Sequence, residues 1–465
     1  MIYILIAAAI LLVAAFLPKE KSKKEHTYNA AFGNEADFLS AHNHGFAITG
    51  NKAITEEMSF TNAIIFGPTG TNKSTSAIFC SAVSLSRCRA SMIFFDVSGE
   101  IFLHCANYLS KKGYLILRIN FADAQHSESF NCLSFCTSVS DIQKVATLII
   151  KNANGESKGD IFWEQSSIAL ISLFARYLVF HADRKYCNLQ NILRLIEKFA
   201  VDTTQTIDKM MLRTKDEELV SAYKATLKMS DKTLQSVIAS VRGAMLLFTD
   251  PSVCRTTATN TIDFSVLRGD RPVAIFVCTP LKDLQYFKPL SALFFQTMFN
   301  EVMSRIPSKR ERSVFFIIDE FATMRFSAIS TIVSNIRKYR SGLLLCMQDQ
   351  NALLQYGAAE AHQIKTNCGV QCFLKSQPLE TAKELSQILG KYSYTDGTVQ
   401  KTRELMTPDE IRMSEEAIIL INNQPPLKCK IVPYYENIWL QSTLRARPYD
   451  LPKKNITEPP LIPFI

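Results

Sequence analysis

Residues Gly67-Pro68-Thr69-Gly70-Thr71-Asn72-Lys73-Ser74 are the types and spacing from which a phosphate site can be built. They follow the short apolar run Ala63-Ile64-Ile65-Phe66 and open a stretch of helical character. A Gly-rich turn in that setting points backbone N–H groups inward, and the helix N-terminus adds positive potential. Lys73 would reach the β/γ-phosphates and Ser74 would ligate Mg²⁺. The candidate nucleotide-binding set is therefore Gly67, Pro68, Thr69, Gly70, Thr71, Asn72, Lys73, Ser74 and Thr75. Asn72 stands where Gly usually precedes the Lys; Asn tolerates positive φ, but its side chain would crowd the phosphates. The alternative is an ordinary Gly/Pro/Thr turn before a helix.

Two further groups fit the same chemistry. The apolar run Val314-Phe315-Phe316-Ile317-Ile318 ends in Asp319-Glu320. Asp319 would hold Mg²⁺ through water, and Glu320 would orient and polarise an attacking water. The competing reading is a strand running into a polar loop. Next comes Asn335-Ile336-Arg337-Lys338-Tyr339-Arg340, then a strand, then Gln348. A Gln just past such a strand can sense a γ-phosphate, and an Arg at a subunit edge can serve a neighbour's site as an arginine finger, expected here at the sheet's C-terminal edge. Alone, the Arg/Lys cluster reads equally as a basic helix end.

These groups need a sheet to hold them. Apolar runs at 63–66, 92–95 and 115–119 alternate with a helix-length segment at 74–87, the pattern of buried parallel strands and crossover helices. Between about 137 and 259 helical periodicity takes over, at 161–180, 189–199, 216–228 and 231–248. Strand-like runs resume at 273–277, 314–318, 343–347 and 370–374, followed by a pair at 417–421 and 428–432. The pattern predicts an α/β fold interrupted by an all-helical insertion. Within the insertion, Tyr186, Tyr223 and Phe248 read as core rather than as base-stacking platforms. The segment from 447, with five prolines, is expected to be extended or disordered.

Composition sets outer bounds. Over 465 residues, 47% hydrophobic and 20% charged, the chain can bury a core and is neither disordered nor wholly transmembrane. Twelve scattered cysteines are too few for a disulfide scaffold and lack zinc-site spacing, so reduced thiols are expected. The net charge of +9 permits an acidic partner without identifying one. Residues 1–17 carry no charged side chain and reach roughly 25 Å as a helix, the short end of a bilayer span. Pro18 and then Lys19, Lys21, Lys23 and Lys24 follow, which favours a retained anchor with the bulk of the chain cytoplasmic over a cleaved signal peptide.

Together the landmarks resemble those of the type IV coupling proteins, the TraG/TraD-like ATPases of conjugation and type IV secretion. Phe95-Asp96-Val97-Ser98-Gly99-Glu100 is similar to that family's Asp-Pro-Lys-Gly-Glu segment, and Phe130-Asn131-Cys132-Leu133 to its Tyr-Asn-Pro-Leu. Ile318-Asp319-Glu320-Phe321-Ala322, Arg337-Lys338-Tyr339, Gln348, Tyr356-Gly357 and Pro433-Tyr434-Tyr435 complete the series. The resemblance implies a RecA-like P-loop nucleotide-binding domain with an inserted all-α domain, behind an N-terminal transmembrane helix. The divisions expected are 1–17 anchor, 18–60 linker and lead-in, 61–136 and 260–441 nucleotide-binding domain, 137–259 insertion and 442–465 Pro-rich tail.

The resemblance also implies ATP and Mg²⁺ as cofactors, with Lys73, Asp319, Glu320, Arg337 and Gln348 in catalysis and Ser74 and Asp319 on the metal. It implies a homo-hexamer at the inner membrane that brings DNA–relaxase or protein substrates to a secretion channel and energises their transfer. Three departures stand out. Asn72 replaces the loop Gly, Val97 and Ser98 replace Pro and Lys, and one membrane segment is seen where many members carry two. The alternatives are an FtsK/HerA-like DNA translocase and a membrane adaptor that binds nucleotide weakly.

Overall fold

The structure, a computed structural model, describes residues 29–154, 161–201, 206–326, 328–455 and 458–464. The expected anchor at 1–17 lies outside these residues. Among the described residues no single helix is long and apolar enough to cross a membrane.

Among the described residues eleven strands form in chain order: β1 Ala63–Phe66, β2 Ser91–Asp96, β3 Leu115–Ile119, β4 Val273–Cys278, β5 Val314–Ile318, β6 Ser341–Met347, β7 Val370–Phe373, β8 Lys391–Asp396, β9 Val399–Glu404, β10 Ala417–Ile421 and β11 Leu427–Cys429. Nine of them make one sheet in the order β11-β10-β7-β1-β6-β5-β2-β4-β3. The seven from β7 to β3 run parallel, and β10 and β11 join antiparallel at one edge. β1, β2, β4, β5 and β6 are buried along their whole length, because helices cover both faces. That two-sided burial is why they read as unbroken apolar runs and not as alternating patterns.

Between β3 and β4 the chain makes seven α-helices, Val139–Asn154, Ile161–Phe180, Leu189–Val201, Thr206–Leu212, Glu217–Leu227, Asp231–Met245 and Pro251–Ala258, with no strand among the described residues. Leu189–Val201 buries Leu189, Ile192, Leu193, Ile196 and Phe199, a three-and-four spacing that gives one apolar stripe. Phe199 packs on Phe174 and Tyr223 at 5.6 and 5.9 Å between ring centroids. Tyr223 and Phe248 are fully buried, as core residues should be, and Tyr186 is half-buried under Lys185.

Two features depart from the sequence reading. β8 and β9 form an exposed antiparallel hairpin that the sequence did not announce. The Pro-rich segment is extended but not loose. Asn107 Nδ2 donates to Arg447 O and Pro448 O, Lys454 N donates to Gln125 O, and Asn191 binds the backbone at Pro460 and Ile462. The twelve cysteines are unpaired.

Candidate active site

The carboxyl ends of four neighbouring parallel strands meet at one edge of the sheet. β1 ends at Gly67, β6 at Gln348, β5 at Asp319, and β2 closes with Asp96 itself. In open α/β sheets this edge is where ligands bind.

The loop after β1 is bound at both ends. Gly67 N donates to Met347 O at 3.1 Å, fixing the loop's start against β6. A Cβ at Gly67 would fall 2.5 Å from Thr71 Oγ1 and 2.8 Å from Leu374 Cδ1, so any larger residue there would have to push those two side chains aside. Thr71 Oγ1 donates to Pro68 O at 2.7 Å and draws the loop tight. Asn72 takes the left-handed conformation (φ 67°, ψ 24°) that the usual Gly would take. Its Oδ1 accepts from Tyr435 Oη at 3.3 Å, and its carbonyl accepts from Ser76 N and Ser76 Oγ. The substitution thus preserves the turn, and a distant tyrosine takes up the extra side chain. The helix then starts wide: Phe79 N donates to Ser74 O, five residues back, before the regular Phe79–Arg87 helix.

Lys73 is buried, and its Nζ donates to Gly67 O at 2.6 Å and Pro68 O at 3.2 Å. Its ammonium therefore sits inside the turn formed by the loop. Ser74 Oγ donates to Asp319 Oδ2 at 3.2 Å, joining the loop to the end of β5. Asp319 N reaches Phe95 O on β2, and Glu320 N donates to Asp319 Oδ1 at 3.1 Å. Burial lifts the Asp319 carboxyl from 3.8 to about 6, and the neighbouring Glu320 charge adds to the rise. Glu320 holds a left-handed backbone (φ 50°, ψ 51°). This turns its side chain toward Gln348, whose Nε2 donates to Glu320 Oε2 at 3.5 Å.

The structure therefore brings Lys73, Ser74, Asp319, Glu320 and Gln348 together. Thr69 and Gly70 lie exposed at the loop tip and Thr75 on the first helical turn. Arg337 is elsewhere, which corrects the expectation of the C-terminal edge. Ile336–Tyr339 is a turn leading into β6, and β6 runs parallel to β1, so Arg337 lies at the opposite, N-terminal edge. The seven residues of β6 put it on the order of 20 Å from its own chain's loop. Arg337 is exposed, whereas Arg340 stacks over Phe60 at 5.7 Å.

Sequence reasoning gave no role to three residues that shape the site. Asp96 is fully buried beside Asp319 and accepts from Gly99 N and Phe102 N, both at 2.8 Å. Burial nevertheless lifts its carboxyl to about 6. Gln377 Nε2 donates to Phe66 O and Leu374 O, securing the last carbonyl of β1. Tyr435 meets Asn72 across 363 residues; the sequence marked it only as the last residue of the Pro433-Tyr434-Tyr435 landmark, with no contact to the loop. A cleft of about 1070 Å³ opens away from this edge, where residues 131–136, 182–187 and 258–264 meet, and carries none of the phosphate-site groups.

Comparison with known proteins agrees with this geometry. The sequence profile of the family described as type IV secretory system conjugative DNA transfer matches residues 14–457. The chain is 30% identical over 233 residues to the protein VirD4 of Rhizobium rhizogenes, covering 45% of this chain and 34% of that one. It is 22% identical over 397 residues to the conjugal transfer protein TraG of Escherichia coli, covering 75% and 61%. It thus spans about a third of the VirD4 protein and three fifths of the TraG protein. Among solved structures, the plasmid coupling protein TrwB in complex with ADP and Mg²⁺ superposes with a TM-score of 0.65 at 15% identity, covering 88% of this chain and 90% of that one. TrwB with the non-hydrolysable GTP analogue GDPNP gives 0.64 at 15%, covering 84% and 89%. At that identity the likeness is one of fold, and this chain shares the RecA-like α/β architecture of TrwB. By the family profile, which spans nearly its whole length, the chain belongs to the conjugative DNA-transfer family of type IV secretory systems.

Proposed function

We propose that the protein is an ATP-hydrolysing coupling protein. It would recruit DNA–relaxase complexes or protein substrates to a type IV secretion or conjugation channel and drive their transfer. The observation that carries this reading is the meeting of the Lys73 loop, the Asp319-Glu320 pair and Gln348 at one sheet edge.

The residues fit ATP and Mg²⁺. The loop is a tight turn in which a Cβ at Gly67 would crowd Thr71 and Leu374, with a buried lysine at its base. Ser74 and Asp319 already share a hydrogen bond, and the raised Asp319 carboxyl marks a site where a cation would offset the burial of its charge. Ser74 and Asp319 would hold Mg²⁺, which would supply charge neutralisation at the phosphates. Lys73 would bind the β/γ-phosphates, with Gly67, Pro68, Thr69, Gly70, Thr71, Asn72 and Thr75 completing the cradle. Glu320 would orient the attacking water, and Gln348, bonded to Glu320, would report on the γ-phosphate. Arg337, remote from its own loop and exposed, would act on a neighbour's nucleotide in a homo-hexamer. The division into a nucleotide-binding domain and an all-α domain at 137–259, the membrane anchor at 1–17 and the inner-membrane location belong to the same reading.

Phosphate release measured with and without DNA tests it. DNA-stimulated hydrolysis that Lys73→Ala abolishes is expected. Nucleotide binding without turnover would favour the adaptor instead, and turnover unchanged in Lys73→Ala would remove the loop from the mechanism.

A further inference from the structure

Residues 447–455 and 458–464 hold to different parts of the protein by a series of separate grips. The first stretch leaves the nucleotide-binding part at Leu103 and Asn107, where Arg447 N donates to Leu103 O and Tyr449 packs edge-on against Phe102. It passes Glu128, which accepts from Lys454 Nζ at 2.7 Å. The second stretch lies on the helical insertion, on the helix Leu189–Val201.

That last contact is constructed differently from a chain simply lying on a surface. Asn191 is fully buried, and its amide binds the segment's backbone on both sides of Leu461: Nδ2 donates to Pro460 O and Oδ1 accepts from Ile462 N, each at 3.0 Å. The paired contact copies what an adjacent β-strand would offer, and it ignores side-chain identity. Arg194, one helical turn on, donates from Nε to Ile462 O at 3.2 Å and lays its guanidinium over Phe464 at 4.7 Å. Lys198, a further turn on, adds a second cation 5.8 Å from the same ring. Pro459 and Ile462 are buried and Pro460 and Leu461 are exposed. A three-residue interval is the repeat of an extended polyproline-type chain, which presents every third side chain to one face. Arg255 pairs with Glu458 at the near end.

We infer that this helix face is a peptide-recognition groove. It takes an extended Pro-flanked segment with apolar positions three apart and a following aromatic ring, and the chain's own residues 458–464 occupy it in cis. Each of these grips is non-covalent and falls on backbone or on a single side chain, so a segment of the same chemistry from another polypeptide would satisfy it equally. The occupant is also imperfectly seated: a cavity of about 150 Å³ is lined by Glu458, Pro459 and Pro460 on one side and by Arg255, Ala258 and Thr259 on the other. A partner polypeptide that displaced it would free the link between the insertion and the nucleotide-binding part.

Competition on the full chain tests this. The probe is a fluorescein-labelled peptide with the sequence of residues 458–464. A segment tethered this closely has an effective concentration of about 1 mM, so for an intrinsic Kd near 0.1 mM the seated segment should weaken the peptide's apparent affinity by about tenfold. The Ile462→Asp chain, its own segment unseated, should bind the peptide about tenfold more tightly than the wild type. Adding Arg194→Ala should remove most of that gain, and a peptide carrying the same Ile→Asp change should not bind. Circular dichroism melts of each chain establish that it is folded. Equal affinity for wild type and Ile462→Asp, no binding to an Ile462→Asp chain that melts like the wild type, or indifference to Arg194→Ala in a folded chain would each overturn the groove and leave the segment a fixed strap.

Discussion

Replacing Asp319 by Asn should stabilise the nucleotide-free protein, although it removes a residue assigned to the active site. The carboxyl lies at the end of a buried strand, close to Glu320 and Asp96, and its pKa rises from 3.8 to about 6, chiefly by desolvation. Because the folded value lies above the unfolded one, the folded chain takes up the proton more readily. That advantage is complete below pH about 4 and is lost as pH rises through about 6. Above that range the folded chain carries a buried charge whose cost is about 3 kcal/mol at 1.36 kcal/mol per pKa unit. Asparagine carries no such charge. It also keeps the local bonds: its Oδ1 can accept from Glu320 N, and its amide can donate to Ser74 Oγ.

The gain should therefore be about 3 kcal/mol at pH 8, about half that at pH 5 and small at pH 4. At about 2.1 cal/mol/K per residue over 465 residues, a cooperative unfolding would turn 3 kcal/mol into a Tm rise of about 3 °C. Differential scanning calorimetry of both chains in EDTA, at pH 8 and pH 4, reads the effect. Saturating Mg²⁺–ADP should then close most of that gap. A ligand at 100 times its Kd stabilises by about 2.7 kcal/mol, and the wild type, with its carboxylate intact, should gain more. If Asp319→Asn melts at or below the wild type at pH 8 in EDTA, or if the gap is the same at pH 4, the buried-charge argument fails.

Four other outcomes follow, three from the same geometry and one from the apolar run and lysines of residues 1–24. Lys73→Ala should abolish ATP hydrolysis measured by phosphate release while leaving sedimentation with membranes unchanged. Asn72→Gly, which keeps the left-handed turn and removes the side chain facing Tyr435, should raise nucleotide affinity or turnover severalfold; no gain in either would mean that the Asn does not crowd the site. Removing residues 1–24 should release the protein from membranes, and a truncated chain that still floats with liposomes in high salt would locate the membrane contact elsewhere. Arg337→Ala should bind nucleotide normally yet lose hydrolysis by about 10³-fold or more, the scale of dissected arginine fingers, while Arg340→Ala, a residue already stacked on Phe60, does far less.

What the sequence disclosed depended on where each element's environment was written. β1, β2 and β5 were legible because a strand covered on both faces must be apolar throughout, and the residues that end them, Gly67, Asp96 and Asp319, follow at once in the chain. The hairpin β8–β9 was not, since Tyr392, Ser393, Tyr394 and Thr395 face mostly solvent and leave no apolar run to read. The helix Val139–Asn154 did carry its signal, with Ile142, Ala146, Ile149 and Ile150 buried at three-and-four spacing and Ser138 and Asp141 exchanging capping bonds at its start, yet the helices read in the insertion began only at 161. The grip of Asn191 on residues 460 and 462 joins positions about 270 apart, and nothing local in either announces the other.

Arg337 was legible in type and misread in place, and the reason bears on function. A residue that precedes a parallel strand must lie at the edge where that strand begins, and the phosphate loop always lies where its strand ends. Chain order alone therefore separates Arg337 from the Lys73 loop by the length of β6. Lys73, Glu320 and Gln348 meet within one chain and Arg337 does not join them, so under the proposed reading its guanidinium would serve a second copy whose N-terminal edge faces this one's carboxyl edge. Mixing experiments decide the matter. Arg337→Ala chains and Glu320→Gln chains are each inactive alone under this reading, but a mixed ring brings an intact Glu320 on one chain against an intact Arg337 on the next. Recovery of part of the wild-type rate on mixing is expected. Mixed rings demonstrated by native mass spectrometry that hydrolyse no ATP, or normal hydrolysis by Arg337→Ala alone, would return Arg337 to the status of a cation at the end of a helix.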